Sequence, residues 1–293
     1  MKNFTNPVIE NSKKNNTSDP YVIRSEDFYY HCFSNSEGVF ITKAKKLTDI
    51  GKGETVKVYD SKSGLKNWYA PELHNIEGKW YIYASPDYGN GEHRMTVLES
   101  DAPMGDYKNL GIVKGLENRW GIDGTVLSYN NEMYFVWTCC IEMYIQKMDS
   151  VSSVLGEPVL LSKAKFPFEL LNNTINEGPA VLYRNGKIFV VYSANDSICD
   201  DYCLGLLTFS GSGDILDVKN WTKSSEAVFK KTDKIFGPGH CSFTTVTENN
   251  AEIDYIVYHA NTESGTGWQG RHVFIKPFLW DDNGMPVFGK PEF

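Results

Sequence analysis

A unit recurs five times along this chain, and four of its copies open on an acid. The copies begin at Ser18-Asp19-Pro20, Ala70-Pro71-Glu72, Ile122-Asp123-Gly124, Asn176-Glu177-Gly178 and Gly239-His240-Cys241. Each opener leads into a short apolar run, a polar turn and an aromatic-rich run. A period of about 50 to 60 residues belongs to a propeller or a solenoid rather than a layered domain. A repeat that returns a carboxylate to the same place gathers carboxylates around one axis, and such a cluster is a candidate acid/base site.

The turns carry Asn, Gly, Asp or Glu between two β-type runs, and Asn185-Gly186 is the strongest hairpin signal among them. The aromatic runs are Phe28–Phe33, Trp80–Ala84, Met133–Thr138, Ile188–Ser193 and Tyr255–His259. Further strands are predicted at Gly38–Lys43, Arg94–Ser100, Tyr144–Met148, Tyr202–Thr208 and His272–Pro277. They bring each unit to about four strands, the number in a propeller blade. Long amphipathic helical stretches are absent. The reading is an all-β, five-bladed β-propeller, with residues 1–293 forming a single catalytic domain. The segment Asn6-Pro7-Val8-Ile9 is expected to close the ring beside the last strand. A parallel β-helix is the structural alternative, but its repeat is shorter.

Composition narrows the partners. Net charge is −8 and no basic run exceeds a few residues. Nucleic acid and anionic membrane are therefore disfavoured, because phosphate binding needs clustered Lys and Arg. Aromatics make up 14% of the chain. They suit strands and cores, and a flat ring also suits the C–H face of a sugar. No stretch has the apolar length to cross a bilayer. The start, Met1 to Pro7, lacks the apolar core of a signal peptide, so a cytoplasmic location is expected, with secretion after removal of a leader as the alternative. The six cysteines have irregular spacing and form neither a disulfide framework nor a zinc motif; they read as mostly buried thiols.

In a propeller the first strand of each blade lines the central channel. Asp19, Glu72, Asp123, Glu177 and His240 are then expected to ring one mouth. Glycosidases need two carboxyl groups flanking the scissile bond, one to protonate the leaving oxygen and one to activate water or attack the sugar. Taken singly, Asp19-Pro20 and Asp123-Gly124 are ordinary turn pairs. Their recurrence at one repeat position is what favours chemistry.

These segments resemble glycoside hydrolase family 43, five-bladed propeller enzymes acting on arabinose- and xylose-containing glycans. The resemblance covers nearly the whole chain. Its specific segments are Asn176-Glu177-Gly178-Pro179-Ala180-Val181 and Gly237-Pro238-Gly239-His240-Cys241-Ser242-Phe243. Leu182 through Lys187, Tyr258-His259-Ala260-Asn261 and the ending from Pro277 to Pro286 are most similar to the arabinofuranosidase branch. The resemblance implies an inverting mechanism with Asp19 as general base, Glu177 as general acid and Asp123 as the acid that raises the pKa of Glu177 and orients it. Inversion leaves room for water, so a base-to-acid separation of about 6.5–9.5 Å is expected. By resemblance, His240 stands where many members hold calcium or another cation in the channel; no other cofactor is implied. Arg271 resembles an arginine that orients a carboxylate or a sugar hydroxyl. Trp68, Tyr69 and Trp137 are candidate sugar-binding residues, and Trp268 is a further aromatic of that kind. Tyr69 stands where the family often has Trp, and Cys241 where Asn is common.

The expected activity is release of terminal α-L-arabinofuranose from arabinoxylan- or arabinan-derived oligosaccharides. β-Xylosidase action is the alternative, and an endo-acting arabinanase is less favoured. A non-catalytic glycan-binding propeller is the reading from another class; a lectin gains nothing from a like-charge pair of buried acids.

Overall fold

The computed structural model describes residues 4–11, 17–60 and 64–293. Four blades are four-stranded antiparallel sheets in simple sequence order. Blade 1 comprises β1 (Tyr21–Ser25), β2 (Phe28–Asn35), β3 (Gly38–Ala44) and β4 (Glu54–Asp60); blade 2 comprises β5 (Lys66–Ile76), β6 (Lys79–Asp87), β7 (Thr96–Ser100) and β8 (Lys108–Ile112). Blade 3 holds β9 (Ile122–Tyr129), β10 (Glu132–Cys139), β11 (Glu142–Ser150) and β12 (Ser153–Ser162); blade 4 holds β13 (Asn176–Arg184), β14 (Lys187–Ala194), β15 (Cys203–Phe209) and β16 (Trp221–Lys223). Blade 5 has β17 (Phe236–Glu248), β18 (Ala251–Asn261) and β19 (Arg271–Pro277), followed by the small hairpin β20 (Leu279–Trp280) and β21 (Pro286–Val287).

Every first hairpin turns in two residues, and the sequence supplies what such turns need. Glu77-Gly78, Asn130-Asn131, Asn185-Gly186 and Asn249-Asn250 all place both residues at positive φ. That is the backbone of a type I′ turn, whose twist matches the flanking strands. Asn and Gly tolerate it best, which is why these turns were readable.

Blade 5 is completed by the N-terminal segment, as expected. Val273 N–H donates to Ile9 O at 3.0 Å and Val8 N–H donates to Val273 O at 2.9 Å. The Asn6 side chain continues the pairing: its Nδ2 donates to Ile275 O at 2.8 Å and its Oδ1 accepts Ile275 N–H at 3.0 Å. Chain start and last blade are thereby joined, and the ring has no free sheet edge at this seam.

The core is five cores, one between each pair of neighbouring blades. Strand alternation produces this division. In β14, Ile188, Val190, Tyr192 and Ala194 face blade 3, while Phe189 and Val191 face blade 5. A strand apolar on both faces can only sit between two sheets, and five such sheets close a ring.

Candidate active site

The openers share one local geometry. Each blade carries a left-handed residue at or near the head of its first strand: Asp19 (φ 52°), Ala70 (41°), Asp123 (55°), Gly178 (56°) and His240 (41°). In four blades the ladder slips beside it. Ile122 pairs with Thr138 but Thr125 with Val136; Tyr69 pairs with Ser85 but Glu72 with Tyr83. The same extra residue lies between Glu177 and Ala180 and between Gly239 and Ser242. This is a β-bulge, which bends the strand and re-aims a side chain.

The register corrects the repeat as read from sequence. Asp19, Ala70, Asp123, Gly178 and His240 are equivalent. Glu177 therefore sits one residue earlier than Asp19 and Asp123 in their blades, and Glu72 two residues later. Glu72 shares its layer with Tyr21, Thr125, Ala180 and Ser242, which line a cavity of about 190 Å³ in the channel together with His74. There Glu72 is 4% exposed and bonds His74 Nε2 at 3.0 Å. It belongs to the channel wall, and its carboxylate is no member of the ring at the mouth.

At the mouth the charges are arranged asymmetrically. Asp19 Oδ1 lies 3.2 Å from His240 Nδ1 and 3.5 Å from an Arg271 guanidinium nitrogen. Burial alone would raise the Asp19 pKa, but His240 and Arg271 outweigh it and hold the carboxyl well below the usual carboxylate range. The Asp19 backbone N–H donates to His259 Nδ1 at 3.1 Å, which fixes the strained φ of the residue. Arg271 is anchored from the other side, donating to Ser197 O at 2.9 Å.

Glu177 is in the opposite condition. Burial, and then the neighbouring Asp123 carboxylate, push its pKa up to about 7. Asp123, 4% exposed, is itself raised to about 6, mainly by burial, against the pull of His240. Its Oδ2 accepts the N–H of Gly178 at 3.0 Å. Glycine is required there: beyond the positive φ, a Cβ would stand 3.1 Å from the His240 ring. One mouth thus holds a carboxyl kept ionised, one whose pKa is raised to about 7, and a third acid tied to the backbone N–H just after the second.

His240 does not fit a directly bound cation. Burial disfavours its charge, yet Asp19 and Asp123 raise its pKa to about 10. With Nδ1 engaged by Asp19 at 3.2 Å, the imidazole has at most one nitrogen left to offer, whereas calcium seeks six to eight oxygens. Among the described residues no group of three or more His, Cys, Asp or Glu side chains is placed to hold a metal. His240 acts here as the counter-ion of Asp19.

The aromatic candidates divide. Trp68 is wholly buried, packed edge-on against Tyr59 in the core between blades 1 and 2, and Trp137 is 1% exposed and stacked on Tyr144. Neither reaches a ligand, which corrects their assignment as sugar-binding residues. Tyr69 does face the mouth, 49% exposed, stacked on His93 with ring centroids 4.4 Å apart. Trp120 meets that imidazole edge-on at 6.1 Å. Across the mouth, Trp268 is 55% exposed and its Nε1 donates to Ser197 Oγ at 3.1 Å. Tyr202 escaped the sequence reading, which saw in it only the head of a strand. Its hydroxyl donates to Glu177 Oε1 at 2.9 Å. The available signal was the small-residue run Gly237-Pro238-Gly239, which leaves room for a ring.

Fold and site define a class: five-bladed propellers with an acid cluster at one channel mouth. Residues 4–286 match the glycosyl hydrolases of family 43, and the chain belongs to that family. It is 30% identical to an extracellular exo-α-(1→5)-L-arabinofuranosidase of Streptomyces avermitilis, aligned over 98% of this chain and 63% of the relative. The chain thus spans somewhat under two thirds of that relative. An enzyme of the same name from Streptomyces chartreusis is 28% identical over 88% of this chain and 82% of its own length. The crystal structure of an α-L-arabinofuranosidase from Lactobacillus brevis superposes with a TM-score of 0.87 at 31% identity, covering 99% of this chain and 97% of that one. The expected cytoplasmic location finds no support, since both Streptomyces relatives are named extracellular. No helix among the described residues is long and apolar enough to cross a membrane.

Proposed function

We propose that this chain is an exo-acting α-L-arabinofuranosidase that works outside the cell as one propeller domain and releases terminal arabinofuranose from arabinan- or arabinoxylan-derived oligosaccharides. The carrying observation is the unequal setting of two carboxyls: Asp19 Oδ1 lies 3.2 Å from His240 Nδ1 and 3.5 Å from an Arg271 nitrogen, while burial and the neighbouring Asp123 raise the pKa of Glu177. The names of the Streptomyces and Lactobacillus relatives support the choice of sugar.

In this reading the substrate's anomeric carbon sits between the two. Asp19 takes a proton from water as the water oxygen bonds to that carbon from one face. Glu177 gives its proton to the glycosidic oxygen as the C–O bond breaks on the other. The sugar leaves with inverted configuration, Asp19 protonated and Glu177 ionised; Asp19 then releases its proton to solvent and Glu177 takes one up before the next turnover. Arg271 keeps Asp19 aimed, and Tyr69 offers the sugar a flat face.

The test is hydrolysis of 4-nitrophenyl α-L-arabinofuranoside beside 4-nitrophenyl β-D-xylopyranoside, with Asp19→Ala, which removes the base needed whatever the leaving group, as control. Faster release from the arabinoside, lost in the variant, upholds the reading. Preference for the xyloside makes the chain a β-xylosidase, and binding of arabinan oligosaccharides with no turnover of any makes it a lectin.

A further inference from the structure

Glu177 is reached by one side chain that no comparison assigns. Tyr202 is fully buried, and its hydroxyl donates to Glu177 Oε1 at 2.9 Å. Three contacts hold the residue there. One face lies parallel on His259, centroids 5.7 Å apart and planes 8° from parallel. A Cβ on Gly239 would come within 2.2 Å of the ring carbons, so the backbone of β17 presses directly on the ring. The Tyr202 N–H donates to Cys199 O at 3.1 Å, fixing the loop behind it. His259 in turn accepts the backbone N–H of Asp19. Through one hydrogen bond and one stack, the Tyr202–His259 pair spans from the acid side of the site to the base side.

We propose that Tyr202 is a positioning residue for the general acid: its phenol fixes the Glu177 carboxyl so that the free oxygen, the one bearing the proton, points at the glycosidic oxygen. A carboxyl has two oxygens and rotates about its last bond. With Oε1 held by a donor, the proton resides on Oε2, because one oxygen cannot accept the phenol and present its own proton along the same line. A proton transfer within hydrogen-bond reach needs that alignment. This inference rests on the glycosidase reading above, with Glu177 as acid.

Substrates that differ in their need for an acid test it. Arabinobiose leaves as an alkoxide and must be protonated; 4-nitrophenolate departs with little help. In Tyr202→Phe, which keeps the ring, the stack and the fit to Gly239, kcat on arabinobiose is expected to fall about 10- to 100-fold with KM nearly unchanged. On the 4-nitrophenyl arabinoside the loss is expected to stay within about threefold. Gly239→Ala, which pushes the ring off its line while leaving the phenol in the chain, should reproduce the selective loss if Tyr202→Phe folds poorly. Equal losses on both substrates, or none on arabinobiose, overturn the proposal. If the wild-type chain cleaves xylosides instead, the matching xyloside pair carries the same comparison, and the sugar assignment fails alone. No cleavage of either kind overturns both.

Discussion

The carboxylate of Asp123 accepts the backbone N–H of Gly178 at 3.0 Å, across the seam between blades 3 and 4 and one residue past Glu177. At the next two seams the second strand supplies this contact. Ser193 Oγ accepts His240 N–H at 2.8 Å, and His259 Nδ1 accepts Asp19 N–H at 3.1 Å. The matching residue of blade 3 is Thr138, whose buried hydroxyl has no partner among the described residues. At this seam Asp123 makes the bond that a second-strand side chain makes at the next two, and so acts on Glu177 both through space and through the backbone beside it.

The two actions separate by substitution. Asp123→Asn keeps an acceptor for Gly178 but removes the like charge, so the Glu177 pKa falls and the basic limb of kcat/KM against pH moves to lower pH. Asp123→Ala removes both, and its kcat is expected to drop by about 10²–10³, further than in the amide variant. Equal kcat losses in the two variants with an unmoved basic limb would assign Asp123 a purely structural role.

For the wild-type enzyme the pH profile follows from the same charges. The acid must be protonated, so activity declines on the alkaline side with a midpoint near 7. The base must be ionised, and His240 and Arg271 keep it so, placing the acidic limb below the ordinary carboxylate value of about 3.9. Initial rates in constant-ionic-strength buffers check both limbs. A basic limb near 9 would show that some group other than Glu177 supplies the proton.

The turns, the strands and the ring closure were legible because each rests on local chemistry: Asn and Gly at left-handed turns, alternation in strands such as β14, an extended segment at Val8-Ile9. Asp19, Asp123 and Glu177 could be picked out because their openers recur. Their exact equivalence could not be, since the acids stand one residue early in blade 4 and two late in blade 2, an offset that only the ladder register reveals, and Glu72 was misplaced for that reason. Trp68 and Trp137 failed on a different ground. A tryptophan beside an acid motif reads the same whether its ring faces solvent or the next blade, and only packing decides. Tyr202 was invisible because its partner Glu177 is 25 residues away in another strand.

That aromatic division has a measurable consequence. Tyr69→Ala removes an exposed ring from its stack on His93 and is expected to cost about 1 kcal/mol of substrate binding, roughly a fivefold rise in KM, with little change in stability. Trp68→Ala opens the core between blades 1 and 2 and is expected to cost about 3–5 kcal/mol of folding stability. Denaturant titration and steady-state kinetics on both variants distinguish the roles. A raised KM in a stable Trp68 variant would return Trp68 to the site.

Raising the pKa of Glu177 to about 7 carries a stability cost whose sign can be worked out. Below about pH 4.5, its ordinary pKa, the carboxyl keeps its proton whether the chain is folded or unfolded. Between there and 7 the unfolded chain releases the proton first, so rising pH favours unfolding. Above 7 both states are ionised and the penalty is complete. Glu177→Gln cannot ionise and escapes it. The variant is therefore expected to be inactive on arabinobiose yet more stable than wild type by about 1–2 kcal/mol at pH 8, with little advantage at pH 4.5. Thermal unfolding of both proteins at the two pH values measures the difference directly, since groups such as Asp19 that titrate in both proteins largely cancel. An advantage equal at both pH values would mean that Glu177 ionises as an ordinary carboxyl, and the acid of the reaction would have to be sought elsewhere at the mouth.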